Sequence, residues 1–204
     1  MANDITEIVF ILDRSGSMGG KEADVVGGYN SFISKQLKEP GSTMVTTVLF
    51  NDTYKLLHNG VPAERALMDR EEYVTFGTTA LLDAVGRTIT DVNCRMVNTP
   101  EYLRPCKVIF VITTDGLENA SARFSRKNVL ELIERQKAKY DWSFMFLGAD
   151  IDAYAEAEDI GIPAGDVLSF DSSKVSNTRA MNMACCMASA KRRNNKDLKF
   201  KDLI

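Results

Sequence analysis

The chain has 204 residues and a formal net charge of −3 at pH 7, from 25 Lys and Arg against 28 Asp and Glu. This length fits one domain, which can bury about 70% of its unfolded surface without a disulfide or a structural metal. With 45% hydrophobic and 26% charged residues, the composition excludes a wholly disordered chain and a fibrous repeat. The slightly acidic charge balance argues against a nucleic-acid binder that works by bulk electrostatics.

Membrane and secretory segments are not expected from this sequence. The longest apolar runs, Ile8–Leu12 and Val108–Thr113, are far shorter than the roughly 20 residues that cross a bilayer. The first residues, Met1–Glu7, carry acidic side chains and have no basic region, unlike a secretory signal. We therefore expect a cytoplasmic location and no membrane partner.

Cysteine and histidine are too sparse to suggest a thiolate or imidazole metal site. The single histidine is His58, which excludes a cluster of His ligands. The cysteines show no C-x-x-C spacing and are predicted to be free thiols in a reducing compartment: Cys94, Cys106, Cys185 and Cys186.

Strands and helices alternate along the first half of the chain. Glu7–Leu12 is a nearly continuous apolar run, typical of a strand buried on both faces. A helical stripe follows and ends before Pro40-Gly41, and strands are predicted at Met44–Phe50 and Tyr54–Leu57, joined like a hairpin at Asn51-Asp52. The first stripe consists of Val25, Val26, Tyr29, Phe32, Ile33 and Leu37, and a second helical stripe of Leu81, Leu82, Val85, Ile89, Val92 and Met96.

The second half continues the alternation. Strands are predicted at Cys106–Ile112, Trp142–Leu147 and Val167–Phe170. A helical stripe over residues 129–140 and a short helix at Asp152–Asp159 lie between them, and a last helix is predicted from about Ser172 to Arg193, with Val175, Met181, Ala184, Cys185 and Ala188 on one side. The basic stretch Lys191–Lys196 is interpreted as a solvated helix end that frays.

This alternation predicts a single α/β domain over residues 1–204, with a core at about 5–190 and a basic tail at 191–204. The central sheet is expected to be doubly wound and Rossmann-like, with about six mostly parallel strands, one antiparallel edge strand and helices on both faces. In such sheets, ligands bind at the carboxyl ends of the strands, where the winding direction reverses.

Oxygen-bearing side chains follow two of the predicted strands. The first strand runs into Asp13, Ser15 and Ser17, and the strand at Cys106 runs into Asp115. Between them, Gly77-Thr78-Thr79-Ala80 opens a helix. Two carboxylates and several hydroxyls, without His or Cys, suit a hard divalent cation such as Mg²⁺. A metal with mostly neutral ligands can accept one more anionic oxygen, which a carboxylate on a partner would supply.

These three segments, in this order, resemble the von Willebrand factor type A (vWA) domain and its metal-ion-dependent adhesion site (MIDAS). The resemblance covers roughly residues 5 to 190. It implies a domain that binds a protein partner by placing an Asp or Glu of the partner on a bound Mg²⁺ or Mn²⁺, without catalysis and without nucleic acid. The implied metal residues are Asp13, Ser15, Ser17, Thr79 and Asp115. In the family the serines bind the metal directly and the first Asp often acts through water. Thr78 is the alternative to Thr79.

Several of these residues also have simpler structural interpretations. Asp13 and Asp115 can accept backbone N–H groups, and Ser17 and Thr79 can cap the helices that follow them. Arg14 either faces the mouth of the site, where it would steer an acidic partner, or is solvated. Three further carboxylates also follow strands and are candidates for the rim of the site: Asp52, Asp150 and Asp152. Of these, Asp152 is most simply a helix N-cap.

Two other function classes remain open at this point. A metal-dependent phosphohydrolase of the aspartyl-phosphate type would use an Asp directly after a strand, but it needs a second Asp where this chain has Ser15. A nucleotide-binding protein would use Gly16–Lys21, which is rich in glycine but matches neither the G-x₄-G-K-[ST] nor the G-x-G-x-x-G pattern.

Overall fold

The computed structural model describes residues 4–195 and 197–203. Within these ranges the strands are β1 (Ile5–Asp13), β2 (Ser42–Phe50), β3 (Tyr54–Pro62), β4 (Lys107–Thr114), β5 (Ser143–Ala149) and β6 (Val167–Phe170). The α-helices are α1 (Glu22–Gln36), α2 (Leu81–Val97), α3 (Arg126–Tyr140), α4 (Ala153–Asp159) and α5 (Asn177–Arg192).

The six strands form one sheet in the order β3-β2-β1-β4-β5-β6. All neighbouring pairs are parallel except β2 and β3, which form the antiparallel edge. From β1 the chain winds outward through β2 and β3, and from β4 it winds outward on the other side. The winding direction therefore reverses between β1 and β4, and the predicted doubly wound α/β fold is confirmed.

Two apolar layers cover the sheet, because alternate side chains of each buried strand point to opposite faces. Phe10 of β1 packs with Tyr29 and Phe32 of α1, and α5 lies on the same face. Val9 and Ile11 point to the other face, which α2, α3 and α4 cover. The central strands are buried on both faces, as their continuous apolar runs predict.

The predicted start of the last helix is wrong. It begins at Asn177, capped by the Ser176 side chain, and not near Ser172. The carbonyl oxygen of Asp171 accepts the backbone N–H groups of Lys174 and Val175, which closes a separate turn. Local hydrogen bonding of this kind competes with a helix. Strand β3 also extends to Pro62, beyond the predicted Leu57.

The predicted solvated end of α5 is confirmed only in part: Arg193, Asn194 and Asn195 are exposed, whereas Lys191 and Arg192 are packed against the rest of the domain. Lys191 forms an ion pair with Asp166 at 2.7 Å, and the Arg192 guanidinium donates to the carbonyl oxygen of Pro40. Phe200 is buried in the layer formed with α1 and α5. Lys196, part of the predicted fraying stretch, lies outside the described residues.

The described helices are each too short or too polar to cross a membrane.

Candidate metal centre

The carboxyl ends of β1 and β4 lie side by side at the point where the winding reverses. Leu12 pairs with Thr113 in the sheet, so the next residues of the two strands enter adjacent loops. Asp13 is the last residue of β1, and Asp115 directly follows β4. The fold therefore brings together two carboxylates that are 102 positions apart in the sequence.

Asp13 is fully buried and fixed by two hydrogen bonds. Its Oδ1 accepts the backbone N–H of Ser15 at 2.7 Å, and its Oδ2 accepts the Thr114 hydroxyl at 2.6 Å. Burial raises the pKa of Asp13 above its ordinary value, although the bonds from Thr114 and Ser15 act in the opposite direction. Asp13 thus accepts a backbone N–H, as its simpler interpretation as a structural carboxylate predicted. Through its bond from Thr114 it also connects the end of β1 to the end of β4.

A row of hydroxyls connects the two loops. The Oγ atoms of Ser15 and Ser17 are 3.0 Å apart, and the Ser17 hydroxyl donates to Asp115 Oδ1 at 2.5 Å. Ser17 lies in a 3-10 turn over Gly16–Met18, whereas Lys21 is the N-cap of α1. The interpretation of Ser17 as the cap of the first helix is therefore wrong, and its hydroxyl is directed to Asp115.

Thr79 lies on the third side of the same cluster. A Cβ placed on Gly116 would lie 2.8 Å from Thr79 Oγ1 and 3.5 Å from Ser17 Oγ, so both hydroxyls converge on that glycine. Thr79 is buried, whereas its neighbour Thr78 is exposed. These positions favour Thr79 over Thr78 as the threonine of the site.

Thr79 does not cap the following helix, contrary to the alternative interpretation. Ala80 is the N-cap of α2, and the first free N–H groups of that helix are taken by the loop after β4. Glu118 accepts the N–H of Leu82 at 2.8 Å, and the Ser121 hydroxyl accepts that of Asp83 at 3.0 Å. Because other residues satisfy the helix end, the Thr79 side chain is not needed as a cap.

Lys21 is the residue that sequence reasoning did not place in the site. Its ammonium group donates to Asp115 Oδ2 at 2.7 Å and lies 3.6 Å from Asp150 Oδ2. The one sequence signal was its place after Gly19-Gly20, which had favoured a phosphate. The ammonium group instead faces carboxylates, so Asp150 is a rim residue on the Lys21 side.

Arg14 is neither solvated nor directed to the mouth of the site. It is 8% exposed, donates to the Thr53 hydroxyl at 2.9 Å and lies over the Phe76 ring, 4.7 Å from the ring centroid. Burial lowers its pKa, and the charge of Asp52 acts in the opposite direction. Arg14 thus fastens the β2–β3 turn to the loop before α2.

The Asp152 side chain accepts the N–H of Ala155 and caps α4, as predicted.

The loop that carries Thr79 is tied to the end of β1 at several points. The backbone N–H of Gly16 donates to the carbonyl oxygen of Gly77 at 3.0 Å, and the Tyr73 hydroxyl donates to the carbonyl oxygen of Asp13. The Asn51 side chain donates to the carbonyl oxygen of Phe76 at 2.8 Å. The position of Thr79 relative to Ser15 and Ser17 is therefore set by backbone contacts.

No protein-family model matches this sequence, and no curated protein matches it either. Solved structures do share the fold. The vWF domain of Mfa5, the type V pili tip protein of Porphyromonas gingivalis, has a TM-score of 0.65 at 10% identity, over 91% of this chain and 95% of that chain. The chain has the fold of a von Willebrand factor type A domain.

Two metal-loaded proteins share this vWA fold. Proximal thread matrix protein 1 from the mussel byssus, in a structure with a zinc-occupied MIDAS motif, has a TM-score of 0.62 at 16% identity over 93% of this chain. The chain spans about half (47%) of that protein. Manganese-loaded TRAP of Plasmodium vivax has a TM-score of 0.63 at 18% identity, over 89% of this chain and 73% of that chain.

The donor set at this site fits a divalent cation. It offers two carboxylates, Asp13 and Asp115, and three hydroxyls, all of them hard oxygen ligands. The described residues hold no group of three or more His, Cys, Asp or Glu that would ligate a metal without the hydroxyls. Nearby positive charge stabilises buried carboxylates in their ionised form, and the Lys21 ammonium group, 2.7 Å from Asp115 Oδ2, supplies such a charge here.

Proposed function

We propose that this protein is a binding module that holds Mg²⁺ or Mn²⁺ and uses it to bind a carboxylate of a partner protein. The metal residues are Asp13, Ser15, Ser17, Thr79 and Asp115. The observation that carries the proposal is the hydrogen-bonded row from Asp13 through Ser15 and Ser17 to Asp115, at the switch point of the sheet.

The charge balance of the site explains why a partner would supply an acid. Hydroxyl ligands are neutral, and Asp13 already accepts hydrogen bonds on both carboxylate oxygens. A divalent cation here would therefore keep a partial positive charge. An Asp or Glu of a partner gains a charge-assisted contact at this position, whereas a Lys would be repelled.

Binding is proposed and not catalysis, because the three loops that form the site contain no histidine or cysteine to act on its hydroxyls or to serve as a nucleophile. The single histidine, His58, lies on β3, level with Phe10 in the sheet, and its ring contacts the Tyr29 hydroxyl of α1 at 3.4 Å. A net charge of −3 makes a protein partner a better candidate than a nucleic acid or an anionic membrane.

A melting experiment with and without metal tests the metal site. A ligand at 100 times its Kd adds about 2.7 kcal/mol to the free energy of unfolding. For a domain of this size each kcal/mol raises Tm by about 2–4 °C, so the expected rise is about 5–10 °C in Mg²⁺ or Mn²⁺ relative to EDTA. Asp115→Asn, which keeps the shape of the side chain, should lose most of this rise.

Asp166→Asn is the matched control. Asp166 also forms a 2.7 Å ion pair with a lysine, Lys191. It directly precedes the parallel strand β6 and so lies at the amino ends of the strands, at the opposite edge of the sheet from the metal residues. This variant should keep the full metal-induced rise even if it lowers the overall Tm. A wild-type Tm that is the same in Mg²⁺, Mn²⁺ and EDTA would contradict the metal site.

The carboxylate is tested once a metal-dependent partner has been isolated. Its interface Asp and Glu residues are then changed to Asn and Gln, and binding is measured by calorimetry in Mg²⁺. One of these changes should abolish binding, as should EDTA. Binding that persists in EDTA, or that survives the loss of every acidic interface residue, would exclude the metal-bridged carboxylate.

A further inference from the structure

Lys21 occupies an unusual position for a lysine. It is the N-cap of α1, where the backbone N–H groups carry partial positive charge and a cation is unfavourable. Its side chain does not turn away into solvent. It is only 26% exposed, and its ammonium group contacts Asp115, whose side chain is 2% exposed. The contact with Asp115 therefore offsets the cost of placing a cation at this helix end.

The ammonium group and a metal at this site would need the same carboxylate. Lys21 contacts Asp115 Oδ2, and the Ser17 hydroxyl donates to the other oxygen, Oδ1. Asp115 thus has a cation on one oxygen and a proposed metal-ligating hydroxyl on the other. A divalent ion that binds Asp115 closely would meet the ammonium charge and repel it.

The structure also offers a second position for the displaced lysine. Asp150 Oδ2 is 3.6 Å from the ammonium group, and the Asp150 side chain is 41% exposed at the rim. The lysine stem has four flexible carbons, so a small change of rotamer would move its charge from Asp115 toward Asp150. The Gly19-Gly20 turn before Lys21 does not need to change for this movement.

We propose that Lys21 is a built-in competitor of the metal: its ammonium group neutralises Asp115 when no divalent ion is bound and must leave when one binds. This inference rests on the proposed function, because it assumes a metal that uses Asp115. It assigns Lys21 two effects of opposite sign. The lysine stabilises the metal-free domain, and it weakens the affinity of the site for the metal.

The test compares Lys21→Met with the wild type by calorimetric titration with Mg²⁺ and Mn²⁺ and by melting in EDTA. Methionine keeps an unbranched side chain and removes the charge. The Kd for Mg²⁺ should fall by about tenfold, because the fraction of molecules with a free Asp115 rises. In EDTA the Tm of Lys21→Met should be lower than that of the wild type, so the variant should show the larger metal-induced rise.

Lys191→Met is the control, since Lys191 pairs with Asp166 at the same distance of 2.7 Å. It should lower Tm without changing the Kd for Mg²⁺. The Lys21→Arg variant, which keeps the positive charge, should bind Mg²⁺ no more tightly than the wild type. In EDTA, Lys21→Met should lower the Tm of the Asp115→Asn variant by less than it lowers the Tm of the wild type, because Asp115→Asn has already removed the ion pair.

The outcomes separate the two proposals. If wild type and Lys21→Met bind Mg²⁺ with the same Kd, the competition is refuted while the metal site stands. If neither protein binds Mg²⁺ or Mn²⁺ although both are folded, the metal site itself is refuted. A lower Kd in Lys191→Met as well would show a general effect of net charge and would also overturn the role of Lys21.

Discussion

Replacement of Gly116 by alanine tests the geometry of the site with a single methyl group. A Cβ at this position would lie 2.8 Å from Thr79 Oγ1, whereas ordinary contacts begin at 3.4 Å. Thr79 is buried in a loop fixed by backbone hydrogen bonds, so it cannot easily turn away. The hydroxyl must therefore move by about 0.6 Å, three times the roughly 0.2 Å tolerance expected of a ligand distance.

Two effects are expected from Gly116→Ala. Overpacking of this kind costs about 1–3 kcal/mol, which corresponds to a fall in Tm of about 2–12 °C. Displacement of one ligand of Mg²⁺, which demands near-octahedral geometry, should raise the Kd for the metal by at least about tenfold. Melting in EDTA measures the first effect and calorimetric titration with Mg²⁺ measures the second.

Gly27→Ala is the matched control for this substitution. Gly27 lies within α1, and a Cβ there would meet its nearest neighbour, Thr178 Oγ1, at 3.9 Å, an ordinary contact. Alanine should raise the free energy of unfolding by about 0.5–1 kcal/mol, because glycine is a poor helix former, and it should leave the Kd for Mg²⁺ unchanged. If Gly116→Ala binds Mg²⁺ as tightly as the wild type, Thr79 is not a ligand.

Two further predictions concern the domain outside the site. Burial lowers the pKa of His58 below 6.5, so the NMR ring resonances of this single histidine should titrate below that value. The unfolded chain then binds the proton first, and the free energy of unfolding should fall as the pH drops through about 6.5, a contribution that His58→Gln should lack. Asp83→Ala should cost about 1–3 kcal/mol in urea unfolding, because Asp83 accepts the N–H groups of residues 122–124. Asp91→Ala, which breaks an exposed 3.5 Å pair with Arg87, should cost less than about 1 kcal/mol; equal costs would contradict this assignment.

The sequence predicted the sheet well because its central strands are buried on both faces. A short continuous apolar run such as the one in β4 has few alternatives once helical stripes lie on either side of it. The bounds of β6, Val167–Phe170, agree with the prediction residue for residue. The start of α5 was missed because a hydrogen-bonded turn at Asp171 looks, in sequence, like the first turn of the helix.

The site was predicted in part. The apolar runs in the sequence predicted where β1 and β4 end. A doubly wound sheet then places Asp13 and Asp115, which follow those ends, close together. The role of these residues as metal ligands stays a prediction. The place of Lys21 was not predicted, because it follows an irregular turn and not a strand, and the glycines before it favoured a phosphate-binding interpretation. Arg14 was misplaced for a similar reason, since its burial depends on the packing of the Phe76 ring.

The contacts of Glu118 have a consequence for local motion. Its carboxylate accepts N–H groups from Leu82 at the start of α2 and from Ala120 and Ser121 in the loop after β4. Segments joined in this way open together, so their amide hydrogens exchange with solvent as one cooperative unit. A ligand that stiffens the loop at Asp115 will therefore also slow exchange at the start of α2, a distance of about 35 residues along the chain.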